Sequence, residues 1–268
     1  MAELVVERLV HVYSEGGVRA LDGVDLRVGR GERVALIGQN GSGKTTLVRH
    51  LNGLLRPTEG RVTVDGSDAS ALTVAQLASR VGLVFQDPDR QIFAGSVRAE
   101  VEFGPRNLGR SGSAVTADVA AALTVTGLHG EERTNPYDLG GSRRKLLALA
   151  SVLAMRTPVL VLDEPTTGQD ARGVELVRSV VEAVAAEGRT VIAISHDMRF
   201  VAETFERVIV MRAGRIILDG APSDVFARDA WADLRSTYLE PPLAARVGDR
   251  LGLGSTPTDA SVVAGLSA

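Results

Sequence analysis

The chain contains no cysteine, which excludes disulfide frameworks, cysteine zinc sites, iron–sulfur clusters and thiol nucleophiles. It also has no long hydrophobic run. The longest nearly apolar stretch, residues 146–155, includes Ser151 and falls far short of the roughly 20 residues that span a hydrocarbon core. Any membrane role is therefore expected to run through a partner. Charge of one sign is not in excess: 30 Lys plus Arg stand against 33 Asp plus Glu, for a net charge of −3. No global basic field serves a nucleic acid partner, and only a local basic patch is left open. The start, Met1-Ala2-Glu3-Leu4, lacks a basic segment followed by an apolar one, so a cytoplasmic protein is expected. Internal repeats, heptads and low-complexity blocks are missing too.

What is present is 268 residues with 44% hydrophobic content, 29 Gly and 10 Pro, enough for a substantial core. At about 150 residues per domain this favours one α/β domain with a small appendage. Apolar runs of four to six residues alternate with longer amphipathic segments, the pattern of strands interleaved with helices. Residues 34–37, 82–85, 159–162 and 191–194 are uninterrupted apolar strands, expected at the centre of a parallel sheet covered on both faces. Residues 4–12, 24–28 and 61–64 alternate more and predict an antiparallel subdomain. A helical insertion is expected over 96–130, with further helices over 144–155 and 173–187. From Trp231 onward Pro241-Pro242 and several glycines interrupt regularity, and residues 255–268 are expected to be disordered.

Gly38-Gln39-Asn40-Gly41-Ser42-Gly43-Lys44-Thr45-Thr46 fits G-x-x-x-x-G-K-[ST], follows an apolar strand and opens a predicted helix. The glycines let backbone N–H groups turn inward toward phosphate oxygens, and the helix adds its positive N-terminal dipole. Lys44 is placed to reach β- and γ-phosphates, and the Thr45 hydroxyl to ligate Mg²⁺. The strand at 159–162 runs into Asp163 and Glu164. Asp163 is assigned to the magnesium and Glu164 to the attacking water as general base; read in isolation, the two acids would cap the next helix. The strand at 191–194 ends at Ser195-His196-Asp197, bringing His196 to the same sheet edge, either for the γ-phosphate or water or as a neighbour of a helix cap.

These residues together resemble the nucleotide-binding subunit of ATP-binding cassette (ABC) transporters, over about residues 3–227. The resemblance implies a P-loop NTPase core with a mostly parallel sheet, an N-terminal antiparallel β subdomain and a helical signature subdomain at about 90–156. Tyr13 matches the adenine-stacking aromatic, Gln86 the glutamine linking the magnesium site to the membrane subunit, and Asp170 the turn that crosses the dimer interface. The segment Phe85-Gln86-Asp87-Pro88-Asp89-Arg90-Gln91-Ile92-Phe93 looks most like the ATPases of energy-coupling factor transporters, which import vitamins, cobalt or nickel. Leu239-Glu240-Pro241-Pro242 is similar to that group's C-terminal extension, placed here at 228–268. The resemblance implies ATP and Mg²⁺ as ligands and a second ABC ATPase subunit. It further implies a transmembrane scaffold gripped near Gln86 to Gln91, a separate substrate-binding membrane subunit, and a location on the cytoplasmic face of the membrane. A soluble ABC-type ATPase or a regulatory nucleotide-binding subunit remains the alternative.

One departure stands out. The family's Leu-Ser-Gly-Gly-Gln signature falls on Leu139-Gly140-Gly141-Ser142-Arg143. In the family this loop closes over the γ-phosphate held by the opposite subunit, and here Gly140 has no hydroxyl. Loss of one preorganised donor costs on the order of 10²- to 10³-fold in rate, with Ser142 as a partial replacement. Ser142 would be strained wherever the family's glycine needs φ > 0. Arg143, Arg144 and Lys145 add positive charge at a helix N-terminus, against its dipole. An asymmetric heterodimer is the expected arrangement, the alternative being a homodimer with the defect in both sites.

Overall fold

The computed structural model describes residues 3–267. Its strands are β1 (Leu4–Val12), β2 (Arg19–Val28), β3 (Arg33–Ile37), β4 (Glu59–Val64), β5 (Ser67–Asp68), β6 (Val81–Val84), β7 (Val159–Asp163), β8 (Thr190–Ile194), β9 (Arg207–Arg212) and β10 (Arg215–Gly220). Its α-helices are α1 (Lys44–Leu51), α2 (Val74–Ala78), α3 (Val97–Asn107), α4 (Gly112–Val125), α5 (Gly141–Leu153), α6 (Ala171–Ala186), α7 (Met198–Thr204), α8 (Pro222–Val225), α9 (Trp231–Arg235), α10 (Leu243–Arg250) and α11 (Asp259–Leu266).

The larger sheet has the order β10-β9-β3-β8-β7-β6 and is parallel except for β10, while β2-β1-β4-β5 form an antiparallel sheet. Side chains alternate across a strand, and here the alternation sorts them into two cores. Val34, Leu36, Val159, Val161, Ile192 and Ile194 face the antiparallel sheet and α1. Ala35, Ile37, Leu160, Leu162, Val191 and Ala193 face the layer containing α4, α5 and α6. Both faces are thus covered, which is why these strands carry no polar alternation. Each fully buried Val, Leu or Ile contributes about 1.5–3 kcal/mol. The helical insertion forms as α3, α4 and α5, with Ser96 capping α3 by accepting from Ala99 N.

Two expectations about the sheet are corrected. The strand at 82–85 is not central: β6 is the sheet's edge in hydrogen bonding, and it is buried because α2 and α5 pack against it. β9 and β10 were not anticipated, although Val208 to Met211 is an apolar run. The C-terminal extension is also more regular than expected. Helix α11 occupies Asp259–Leu266, where disorder was predicted; of that prediction only residue 268 lies outside the described residues. The segment docks on α10 because Gly248 has no Cβ where Thr256 approaches, and Thr256 Oγ1 donates to Ala244 O at 3.1 Å. Thr258 and Ser261 then cap α11 reciprocally, and Arg199 pairs with Asp259 at 2.9 Å.

Candidate active site

Four neighbouring parallel strands, in the spatial order β3, β8, β7, β6, end at one edge of the main sheet, where open α/β sheets hold ligands. β3 runs into the 38–46 loop, β8 into His196, β7 into Asp163 and Glu164, and β6 toward Gln86. Lys44, Thr45, Gln86, Asp163, Glu164 and His196 line one cavity of about 420 Å³, with Tyr13, Asn40 and Gly41 at the same cavity.

The loop's shape depends on two glycines. Gly38 has φ +145°, and a Cβ there would lie 2.2 Å from Met211 O; Gly43 has φ +104°, with its Cβ 2.6 Å from Ala20 O. Ser42 beneath them is 1% exposed. Lys44 starts α1, and its Nζ donates to Gly38 O at 2.6 Å and Gln39 O at 2.9 Å. Burial lowers its pKa, and the charges of Glu164 and Asp163 oppose that shift. The ammonium is thus kept folded over the loop by carbonyls that a phosphate oxygen can replace.

Burial raises the pKa of Asp163, against a hydrogen bond from Thr45 and the charges of Arg49 and Lys44. Glu164 leaves β7 with φ +53°, a left-handed conformation that costs a residue with a Cβ about 1–2 kcal/mol. The bend turns its carboxylate into the cavity while Glu164 N donates to Ile194 O at 3.0 Å. Glu164 Oε2 accepts from Thr167 Oγ1 at 3.2 Å. Oε1, buried and without a hydrogen bond, lies 3.1 Å from His196 Nε2. Burial raises the Glu164 pKa, which suits a group that must take a proton. Burial, then Lys44, lowers that of His196, so its imidazole is neutral near pH 7. Asp197 beside it caps α7, accepting from Arg199 N and Phe200 N, so the helix-cap reading holds for Asp197 while His196 faces the cavity.

The Thr45 hydroxyl, the Asp163 carboxylate and the Gln86 amide offer hard oxygen donors. A buried carboxylate with raised proton affinity is short of positive charge, so this donor set fits Mg²⁺, which takes few protein ligands.

Tyr13 follows β1, and its hydroxyl meets Thr46 Oγ1 at 3.0 Å. Asp170 is the N-cap of α6, accepting from Gly173 N at 2.7 Å. Gln91, expected on the outer surface that grips a scaffold, turns inward: it donates to Ala148 O at 2.8 Å and Ser151 Oγ at 3.0 Å and accepts from Phe85 N.

The signature segment differs from expectation. Leu139 is buried, and Gly140 caps α5, which begins at Gly141. Ser142 lies inside the helix and has no positive φ, so the anticipated backbone strain does not arise. Its hydroxyl donates to Gln169 Oε1, and Gln169 Nε2 returns a bond to Ser142 O at 3.1 Å. That hydroxyl is therefore engaged within the chain. The basic run is partnered as well: Arg143 by Glu131, Arg144 by Asp89, and Lys145 by Thr167 O at 2.6 Å. Thr167 and Gln169 went unrecognised as site-shaping residues; the only signal for Thr167 was its place three residues after Glu164.

A model of the ABC transporter family matches residues 21–167, more than half of the chain. The chain belongs to that family. This ABC ATPase is 41% identical over 245 residues to the energy-coupling factor transporter ATP-binding protein EcfA of Methanothermobacter thermautotrophicus, covering 91% of this chain and 78% of that protein. With EcfA2 of Symbiobacterium thermophilum it shares 42% identity over 254 residues, 92% of this chain and 88% of the relative. It spans only 42% of the length of a putative ABC transporter ATP-binding protein of Caldanaerobacter subterraneus, to which it is 43% identical. Among solved structures it superposes on cbiO1 of Clostridium perfringens, part of the ABC transporter complex cbiONQ, with a TM-score of 0.77 and 35% identity, covering 93% of this chain and 98% of that one. The chain is accordingly an ATP-hydrolysing enzyme. Among the described residues no helix is long and apolar enough to cross a membrane.

Proposed function

We propose that this ABC ATPase powers an energy-coupling factor type importer of a vitamin or transition metal ion, as one half of a heterodimer. The observation that carries the reading is the convergence of Lys44, Glu164 and His196 from three adjacent strands on one cavity. In the proposed reaction the loop amides from Gly38 to Thr46 cradle the triphosphate, and Lys44 leaves the loop carbonyls for its β- and γ-phosphates. Tyr13 stacks on the base. Glu164 accepts the proton of the attacking water, and neutral His196 orients the γ-phosphate. Held by Thr45, Asp163 and Gln86, Mg²⁺ would supply charge neutralisation at the phosphates.

The heterodimer is supported by the signature: Gly140 and Gly141 face open space and offer only backbone donors, while the Ser142 hydroxyl is engaged with Gln169. A partner with an intact signature would complete the site built on Lys44, and Asp170 would lie at the interface between the two. Beside Gln86, an apolar groove of about 250 Å³ lies between α2 and α3, with Phe93 58% and Phe103 47% exposed at its rim. This exposure supports docking of a transmembrane scaffold there, which would hold the subunit at the cytoplasmic face, with cargo selected by a separate membrane subunit and no nucleic acid involved. ATP turnover by the purified chain alone, compared with the chain plus a second cassette subunit and scaffold, tests the reading. Slow turnover alone and fast turnover in the complex are expected; equal rates would overturn the asymmetry.

A further inference from the structure

Behind the base end of the cavity lie two buried imidazoles that the reaction does not use. His11 is on β1, two residues before Tyr13; His50 is on α1, one turn after Thr46. They are 7% and 1% exposed. Their protons can be assigned from their partners. His50 Nδ1 lies 2.7 Å from Thr46 O, and His11 Nδ1 lies 3.2 Å from Arg56 O. Carbonyls only accept, so each Nδ1 carries the hydrogen. His50 Nε2, 3.1 Å from His11 Nδ1, is then the acceptor between the rings. His11 Nε2 is left buried without a partner.

His11 touches Tyr13, and His50 touches His11. The His11 and Tyr13 rings meet edge to face, with centroids 4.6 Å apart at 82°, and the His11 and His50 rings do the same at 4.7 Å and 75°. The other end of Tyr13 is tied by its hydroxyl to Thr46 Oγ1. Tyr13 is thus held at ring and hydroxyl, and both ties lead to the Thr46–His50 turn of α1, the helix that begins at the phosphate loop.

We propose that His11 and His50 are a positioning pair for Tyr13, locking the base platform to the phosphate-binding helix, and that they do so only while both are neutral. The inference rests on the proposed stacking of a base on Tyr13. A proton added to His50 Nε2 would face the Nδ1–H of His11, and one added to His11 Nε2 would be buried without an acceptor. Burial accordingly lowers the pKa of His50. The charged groups on the surrounding elements are Glu7 and Arg8 on β1, Arg19, Asp22, Asp25 and Arg27 on β2, Lys44 and Arg49 on α1, Arg56 in the following loop, Glu59 and Arg61 on β4, and Asp68 on β5. Arg56 donates to the carbonyls of Ala69 and Leu72, Arg61 pairs with Glu7, and Asp68 accepts from Ser70 N. Among the described residues no charged side chain bonds to either imidazole. A proton on His50 Nε2 would therefore break the tie between the rings and loosen the platform, and the nucleotide would lose its base contact while the phosphate contacts remain.

The test measures binding of ATP and of inorganic tripolyphosphate, which has no base, to the full chain between about pH 7.5 and about pH 5.5. Dividing the ratio of the two affinities by the same ratio in Tyr13→Ala at each pH removes the titration of the ligand phosphates, Lys44 and His196. In the unmodified protein the ratio should fall about five- to tenfold on acidification, part of the value of a base on an aromatic platform, and a ratio that stays constant overturns the requirement for neutral rings. His11→Ala should show the low ratio at both pH values. His11→Asn, whose amide can donate or flip to accept, should keep the high ratio at both. Tyr13→Phe, which removes only the hydroxyl tie, should lower the ratio partially. A His11→Ala protein with an unchanged ratio, while Tyr13→Ala lowers it, overturns the positioning role, and so does equal weakening of both ligands. An unchanged ratio in Tyr13→Ala refutes base stacking itself, and the inference falls with that reading.

Discussion

Replacing Glu164 by Gln should move stability and turnover in opposite directions, which a merely structural residue would not do. Glu164 is 5% exposed, beside the equally buried Asp163. Burial raises its pKa above the ordinary 4.5, so the folded state binds a proton that the unfolded state has already released as pH rises through that window. Stability is lost across it, and the loss is complete above the folded value. Gln keeps the volume and can still accept from Thr167 while removing the charge. The nucleotide-free variant should be more stable at neutral pH by about 1 kcal/mol, a rise of about 2–4 °C in melting temperature for a chain of this size. That gain should vanish below about pH 4. Turnover should fall roughly 10²- to 10⁴-fold with ATP affinity retained, as expected for a lost general base. Differential scanning fluorimetry at several pH values, with single-turnover hydrolysis and nucleotide titration, provides all three readouts. A lower melting temperature together with an unchanged rate would refute both the electrostatic and the catalytic argument.

Gly38→Ala should abolish ATP binding and destabilise by about 1–3 kcal/mol, because its Cβ collides with backbone that cannot move aside; equilibrium denaturation and nucleotide titration check this. Ser142→Gly should lower stability by about 1 kcal/mol through the lost Gln169 contact and the added helix entropy, and an increase would instead indicate strain at that position. Gln91→Ala removes three hydrogen bonds that tie the end of β6 to α5 and should cost about 1–3 kcal/mol in urea unfolding.

Local order along the chain was enough to place the 38–46 loop and the strand-end acids at one sheet edge. A glycine-rich turn between an apolar strand and a helix has one backbone solution that suits phosphate, and an acid after a buried strand must emerge at the sheet edge. The same logic recovered four of the six strands of the main sheet and the antiparallel character of the other, because burial on two faces leaves an uninterrupted apolar run and burial on one face leaves alternation. It misjudged the position of β6, since the covering of an edge strand by α2 and α5 leaves the same apolar run as a central place does. The tail at 255–267 was misread because its small residues carry little apolar signal; its order comes from the fit of Thr256 against Gly248, a contact between segments. The side-chain partners were likewise settled by packing. Whether the Ser142 hydroxyl faces a partner's phosphate or Gln169, whether Gln91 points out or in, and whether His11 meets His50 all depend on residues 27 to 60 positions apart. Their separation in space is fixed only when the sheets and helices close on one another.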